Sequence, residues 1–312
     1  MMYTTDGDLG NSAHGRAAIK KMLDGFKNFK VLEQKSTSNN KPVVFVSILP
    51  QRYFVQRITG DRYRTEVMIP PGMGHSDYDP TPQQMKELAN AKLFFRIGYI
   101  VFEEAWMKTI SDNNPGLRII NTSTGTELLQ EEESVFETHD KASSHAHNNS
   151  GIDPHIWLSP KEAKIQAKHY LDAFIQLDPS NKDVFTKNYA ALIADINKLD
   201  STLRLELAPL KNHKFMIYHP ALTYLARDYG LKQLSIEFAG KEPTAAYLFK
   251  LIDVAKQEHI KVVFIQQQYD TKNAAAVAKE IGARLIQFDH MAPDWLDNMY
   301  RLGSMIKKEM SE

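Results

Sequence analysis

From Asn181 to Ala208 the chain carries an uninterrupted apolar pattern. Val184, Phe185, Tyr189, Leu192, Ile193, Ile196, Leu199, Leu203 and Leu207 recur mostly in steps of three and four until Pro209 ends the run. That spacing predicts one helix with a single apolar face, about 40 Å long at 1.5 Å per residue. A helix of that length either threads the core of one domain or runs as a strut between two, and periodicity alone fits both.

The flanking sequence favours two. Ahead of the helix, residues 43–48, 65–69, 93–97 and 118–120 read as short strands with helical stretches between them, the alternation that builds a parallel sheet. A second such unit starts near Lys214 and contains two more buried strands, 261–268 (KVVFIQQQ) and 284–289 (RLIQFD). The expected fold class is therefore α/β, with two lobes, each a parallel sheet flanked by helices, joined by the single long helix. The expected divisions are an N-terminal extension over 1–41, a first lobe over 42–180, the connecting helix over 181–208 and a second lobe over 209–312.

Two histidines stand where a surface loop would not put them. His155 lies in DPHIWLSP, between Pro154 and Trp157 and just before a helix start at Ser159 and Pro160; His219 lies in FMIYHPALTYL, at the end of an apolar strand-like run. A proline beside each fixes the backbone, so each imidazole is presented as a rigid ligand. The strand 284–289 ends on a carboxylate, Asp289. Imidazoles and a carboxylate at strand ends can converge in the crevice outside a parallel sheet, where α/β proteins bind ligands. Nitrogen and oxygen donors without thiolate suit zinc, with manganese the alternative if oxygens dominate.

The segments VVFVSILPQRYFVQRITGDRYRTEVMIPPG, YDPTPQQMKELANAKLFFRIG, DPHIWLSP, HPALTYLARDYGL, GKEPTAAYL and FDHMAPDWLDNM occur in this order. In sequence and order they resemble the metal-specific substrate-binding proteins of ABC importers, over roughly Pro42 to the C-terminus. The resemblance implies two lobes joined by one long helix, a metal site in the cleft between them, and no enzyme activity. It implies ligands at His155, His219 and Asp289, and zinc as cargo, because His219 stands where manganese binders usually have glutamate. The fourth family ligand, a histidine in Pro-His-x-Tyr, is not matched. PPGMGHSDYDPTP puts Ser76 there, with His75 one residue early and Asp77 one late. The first ligand is thus His75, Asp77, a water or nothing.

Composition adds limits. Residues of the AVILMFWYC set make up 43% of the chain and charged residues 24%, ordinary globular usage for 312 residues. With 38 basic and 38 acidic residues, nothing favours nucleic acid or an anionic membrane as partner. The absence of cysteine excludes disulfides, thiolate ligands and a lipid-modified cysteine anchor within this sequence. No apolar run of about 18 residues occurs to span a bilayer. MMYTTDGDLGNSAHGR is polar and does not read as a signal peptide. Ile19, Met22, Leu23, Phe26 and Phe29 then read as an amphipathic helix, either packed on the first lobe or part of an atypical start.

Residues 130–151, QEEESVFETHDKASSHAHNNSG, lack apolar periodicity and hold His139, His145 and His147 among acids. They resemble the His- and acid-rich loop that zinc-binding members carry ahead of their DPHxW segment, and imidazoles there can collect metal weakly; a solvated acidic loop fits equally. Other residues call for nothing beyond structure. Trp106 and Trp295 read as core or lobe-facing packing, Glu237 and Glu242 as surface glutamates of a turn, near the cleft or not, and His169, His213, His259 and His290 lack a partner at ligand spacing. His290, following Asp289 directly, would face the other way in a strand.

The expected function is capture of a divalent metal, zinc first, for delivery to an ABC permease, by a periplasmic or extracytoplasmic monomer. The alternative is a metal-dependent hydrolase, since two histidines, an aspartate and an open position also describe catalytic zinc. Against it, HExxH, a Gly-x-Ser-x-Gly elbow and a phosphate loop are all missing.

Overall fold

Strand and helix alternate along the chain because short, largely buried runs such as Val43–Val46 and Val262–Gln266 are followed by amphipathic stretches, some with a capping residue such as Thr81, Ser159, Thr244 or Asp270 at their start. The computed structural model describes residues 41–74, 78–131, 151–237 and 243–311. The helix expected around Ile19 to Phe29, the candidates His75, Ser76 and Asp77, the histidines His139, His145 and His147, and Glu242 lie outside the described residues.

The first half contains β1 (Val43–Val46), α1 (Leu49–Thr59), β2 (Arg64–Val67), α2 (Pro82–Leu88), β3 (Ala91–Arg96), α3 (Val101–Asn113) and β4 (Arg118–Asn121). A single 3-10 turn, Ile156–Leu158, leads into α4 (Pro160–Leu177). This helix begins where the sequence predicted: the Ser159 hydroxyl accepts from the Glu162 backbone N–H at 3.1 Å, with Pro160 in the first turn. The second half contains β5 (Lys214–Ile217), α6 (Thr223–Tyr229), β6 (Lys232–Ser235), α7 (Ala245–Gln257), β7 (Val262–Gln266), α8 (Thr271–Ile281), β8 (Arg284–Phe288) and α9 (Trp295–Met310).

Each half builds a four-stranded, wholly parallel sheet. The orders are β2-β1-β3-β4 and β6-β5-β7-β8, the same topology twice. Buried side chains alternate between the two faces of the second sheet: Phe215, Ile217, Val262 and Phe264 join the main core, whereas Met216, Val263 and Ile265 pack with α7 and α8 on the other face. Each sheet reverses its strand order beside its first strand, so each has a crevice at the carboxyl ends.

Between the halves runs α5 (Lys182–Leu207), 26 residues and about 39 Å. Phe185, Leu192, Ile196, Leu199, Leu203 and Leu207 are wholly buried along one face, which packs on α1 and α4 and also on α9. The strut is thus part of one core running through residues 42–312, a compact unit. The C-terminal helix adds a crossing that the sequence did not reveal. Trp295, at its start, meets Phe54 and Tyr53 of α1 with ring centroids 4.9 and 6.0 Å apart. Further along, Gly303 lies so close to α5 that a Cβ there would stand 2.0 Å from Leu203 Cδ2.

No helix among the described residues is long and apolar enough to cross a membrane.

Candidate metal centre

His219 leaves the carboxyl end of β5, the strand beside the second sheet's switch point. Gln266, wholly buried at the end of β7, holds its backbone by accepting from the His219 N–H at 3.4 Å and donating to its carbonyl at 2.6 Å. The ring lies nearly parallel to Tyr269, centroids 5.1 Å apart. His155 is set from the other side by its own sequence. One Asp153 oxygen accepts from the His155 backbone N–H at 2.8 Å and lies 2.7 Å from ring Nδ1. This is a local Asx-type turn that aims the imidazole.

The two rings meet. Nε2 of His155 stands 3.2 Å from Nε2 of His219, with ring centroids 5.0 Å apart. Behind each ring is a carboxylate: Asp153 on Nδ1 of His155, and Glu237 on Nδ1 of His219 at 3.2 Å. With Nδ1–H donated to a carboxylate, Nε2 carries the lone pair, so two lone pairs face one another across 3.2 Å. Such a contact is repulsive unless a cation or proton lies between. Two nitrogens bonded to one tetrahedral zinc at about 2.0–2.1 Å would stand roughly 3.3 Å apart, so the separation fits that ion.

Electrostatics favour an ionised Asp153 beside a neutral His155. Burial alone would push the Asp153 carboxyl up, but the His155 ring and hydrogen bonds from His155 and Thr223 bring it below the usual carboxylate range. Burial, opposed by Asp153, holds His155 below the ordinary imidazole value, which favours the neutral ring.

The other candidates are placed differently. An Asp289 oxygen accepts from the Met291 N–H at 2.8 Å and the Gln268 amide at 3.1 Å, and the residue lines a cavity of about 320 Å³ with Asp294, Asn298 and Arg301. His290 reverses the expectation that it faces away. The chain leaves β8 before this residue, so strand alternation does not apply, and the His290 ring is 1% exposed with its centroid 5.9 Å from His155 and 6.4 Å from His219. Glu237 likewise is no surface turn residue, being 5% exposed and bonded to His219. Trp295 is core, as expected, and donates to the Trp157 carbonyl at 2.6 Å, while Trp157 donates to the His290 carbonyl at 2.9 Å. Among the described residues no group of three or more His, Asp or Glu is arranged to hold a metal ion.

The His-rich segment starts at this centre. Gln130 and Ile152 form an antiparallel bridge, the Glu131 N–H donates to the Gly151 carbonyl at 2.7 Å, and Asp153 N–H donates to Leu129 O at 2.9 Å. Burial and then the Asp153 carboxylate push the Glu131 carboxyl above its usual range, and His219 pulls it down. Glu131 is therefore within electrostatic reach of the pair.

A family model described as zinc-uptake complex component A, periplasmic (ZnuA), matches residues 44–308. The chain belongs to the ZnuA family. A high-affinity zinc uptake system protein, ZnuA of Bacillus subtilis (strain 168), is 31% identical over 255 residues, covering 80% of this chain and 78% of the relative. The zinc-binding lipoprotein AdcA of Streptococcus pneumoniae (strain R6) is 29% identical over 79% of this chain, which spans only 49% of that relative, about half its length. A solved ZnuA deletion mutant with zinc bound is 35% identical, with a TM-score of 0.79 over 88% of this chain and 99% of that one. The ZnuA family is one of solute-binding components, and the hydrolase alternative finds no support among these relatives.

Proposed function

We propose that this chain captures a zinc ion between His155 and His219 and hands it to the permease of an ABC importer. The observation that carries the reading is the 3.2 Å approach of two Nε2 atoms, each backed by a carboxylate on its Nδ1. Asp153 and Glu237 make the imidazoles better donors and offset the charge of the arriving dication. Asp289, and His75 from outside the described residues, are the further protein donors in this reading, and manganese is the alternative cargo. The relatives' names speak for zinc.

The protein binds its cargo without catalysing a reaction on it, acts as a monomer, and works outside the cytoplasmic membrane. His155 belongs to the segment that follows the first sheet and His219 to the second. A small relative shift of the halves would lengthen one metal–nitrogen bond and release the ion to the permease. The test is calorimetry on chelator-treated protein. One tight zinc per chain is expected, lost in both His155→Ala and His219→Ala; variants that bind like the parent would refute the site.

A further inference from the structure

We infer that His290 is a third imidazole ligand of the captured ion, a deepening of the zinc reading above that rests on it. The ring centroids of His155, His219 and His290 form a triangle with sides of 5.0, 5.9 and 6.4 Å. The point equidistant from all three is the triangle's circumcentre, and the circumradius of those sides is about 3.4 Å. A zinc ion bonded to an imidazole nitrogen at about 2.0–2.1 Å stands roughly 3.2 Å from the ring centroid. The centroid distances of the three rings therefore match one shared ion to within a few tenths of an ångström, although their nitrogens are not arranged around it at present.

What separates the present arrangement from a complete set of three is ring orientation. The Cβ–Cγ bond points almost through the ring centre, so rotation about it redirects Nδ1 while the centroid hardly moves. That torsion joins an sp³ to an sp² atom and is soft. The backbone, in contrast, is fixed. Trp157 donates to the His290 carbonyl at 2.9 Å, and Asn298 donates to the neighbouring Asp289 carbonyl at 2.7 Å.

The chemistry of the chain gives this ligand a purpose. Ser76 stands at the position where a ligand histidine was expected, and a hydroxyl is a poor zinc donor. A third nitrogen from the second half restores an all-imidazole set of three. The fourth position is left to Asp289, His75 or a water.

The experiment counts imidazoles on the bound ion. Zinc-edge X-ray absorption on the zinc-loaded parent and on His290→Gln should show one imidazole fewer in the variant. Its zinc affinity should fall by more than the roughly 10–100-fold that loss of an outer partner costs. Equal counts in the two proteins would overturn the assignment while leaving the zinc reading intact, whereas a parent that takes up no zinc overturns both. Should the variant not fold, a zinc-loaded crystal structure of the parent decides. A His290 nitrogen at about 2.0–2.1 Å from the ion supports the assignment, and a ring turned away from it refutes it.

Discussion

A carboxylate behind each imidazole decides how firmly that ring can hold a dication. Asp153 is the stronger of the two supports, because one of its oxygens takes both the backbone and the ring N–H of His155, at 2.8 and 2.7 Å. Asp153→Asn keeps the volume but removes the charge and frees the ring tautomer. Zinc affinity should drop about 10–100-fold, roughly 1.4–2.7 kcal/mol, by competition with a chelating dye, with the fold unchanged by circular dichroism. The pH response has the opposite origin. His155 and His290 are held below the ordinary imidazole value by burial, so in the metal-free protein they stay neutral where the unfolded chain takes up protons. Above about pH 6.5 neither state is protonated and these rings leave stability unchanged; as pH falls below that value the unfolded state gains protons and stability declines. Urea titrations of metal-free protein at about pH 7.5 and 5.5 should show the lower midpoint at the acid end, and equal midpoints would contradict the assigned protonation states. Of these residues His155 and His219 were legible in the sequence, because each has a proline neighbour at the end of an apolar run. Asp153 carried a signal too, an aspartate two residues ahead of the candidate His155. Glu237, Gln266 and Tyr269 reach His219 only through the pairing of β5 with its neighbours, and His290 was hidden by a strand alternation that stops at Phe288.

At the scale of elements, the long helix was readable end to end, from Lys182 to Leu207, because one periodicity governs all of it. Six strands were legible to within two residues at either end, although Ile48 is the N-cap of α1 and not the end of β1, whereas β5 was legible only by its start near Lys214 and β6 not at all. The partner of the strut was not legible, since α9 shows its own apolar face but not which helix it covers. Gly303 marks that contact. A methyl group placed there would lie 2.0 Å from Cδ2 of the buried Leu203 side chain, which would have to shift. Gly303→Ala should therefore destabilise the fold by about 1–3 kcal/mol in denaturant unfolding despite the better helix propensity of alanine; a more stable variant would show that the two helices can separate at no cost. The His-rich segment is an element of another kind. Its two ends are stitched together at Gln130–Ile152 and Glu131–Gly151, so removing residues 132–150 leaves closed ends. Such a deletion should abolish weak secondary zinc sites and slow uptake while keeping the tight affinity within about tenfold, or roughly 1.4 kcal/mol. A much larger loss in that titration would make a loop histidine part of the tight site.

For the molecule as a whole, a doubled parallel-sheet topology was foreseeable from alternating strands and helices on both sides of one strut, and the family resemblance carried the rest, whereas the core shared by both halves was not, because a strut between two lobes was expected. The way the halves are fastened was not foreseeable, because it rests on single contacts between segments more than 60 residues apart. Arg227 of α6 pairs at 2.7 Å with the buried Glu162 of α4, and Tyr224 donates to the Asp153 carbonyl at 2.7 Å. Trp157 and Trp295 form the same kind of tie, one donating to the His290 carbonyl and the other to Trp157 itself. These are two of only three indoles in the chain, and the Trp157 ring lies 5.1 Å from that of His155. The protein thus carries its own optical gauge: excitation near the red edge of protein absorption reaches only the three indoles, and an ion arriving beside Trp157 should alter the colour and brightness of the emitted light.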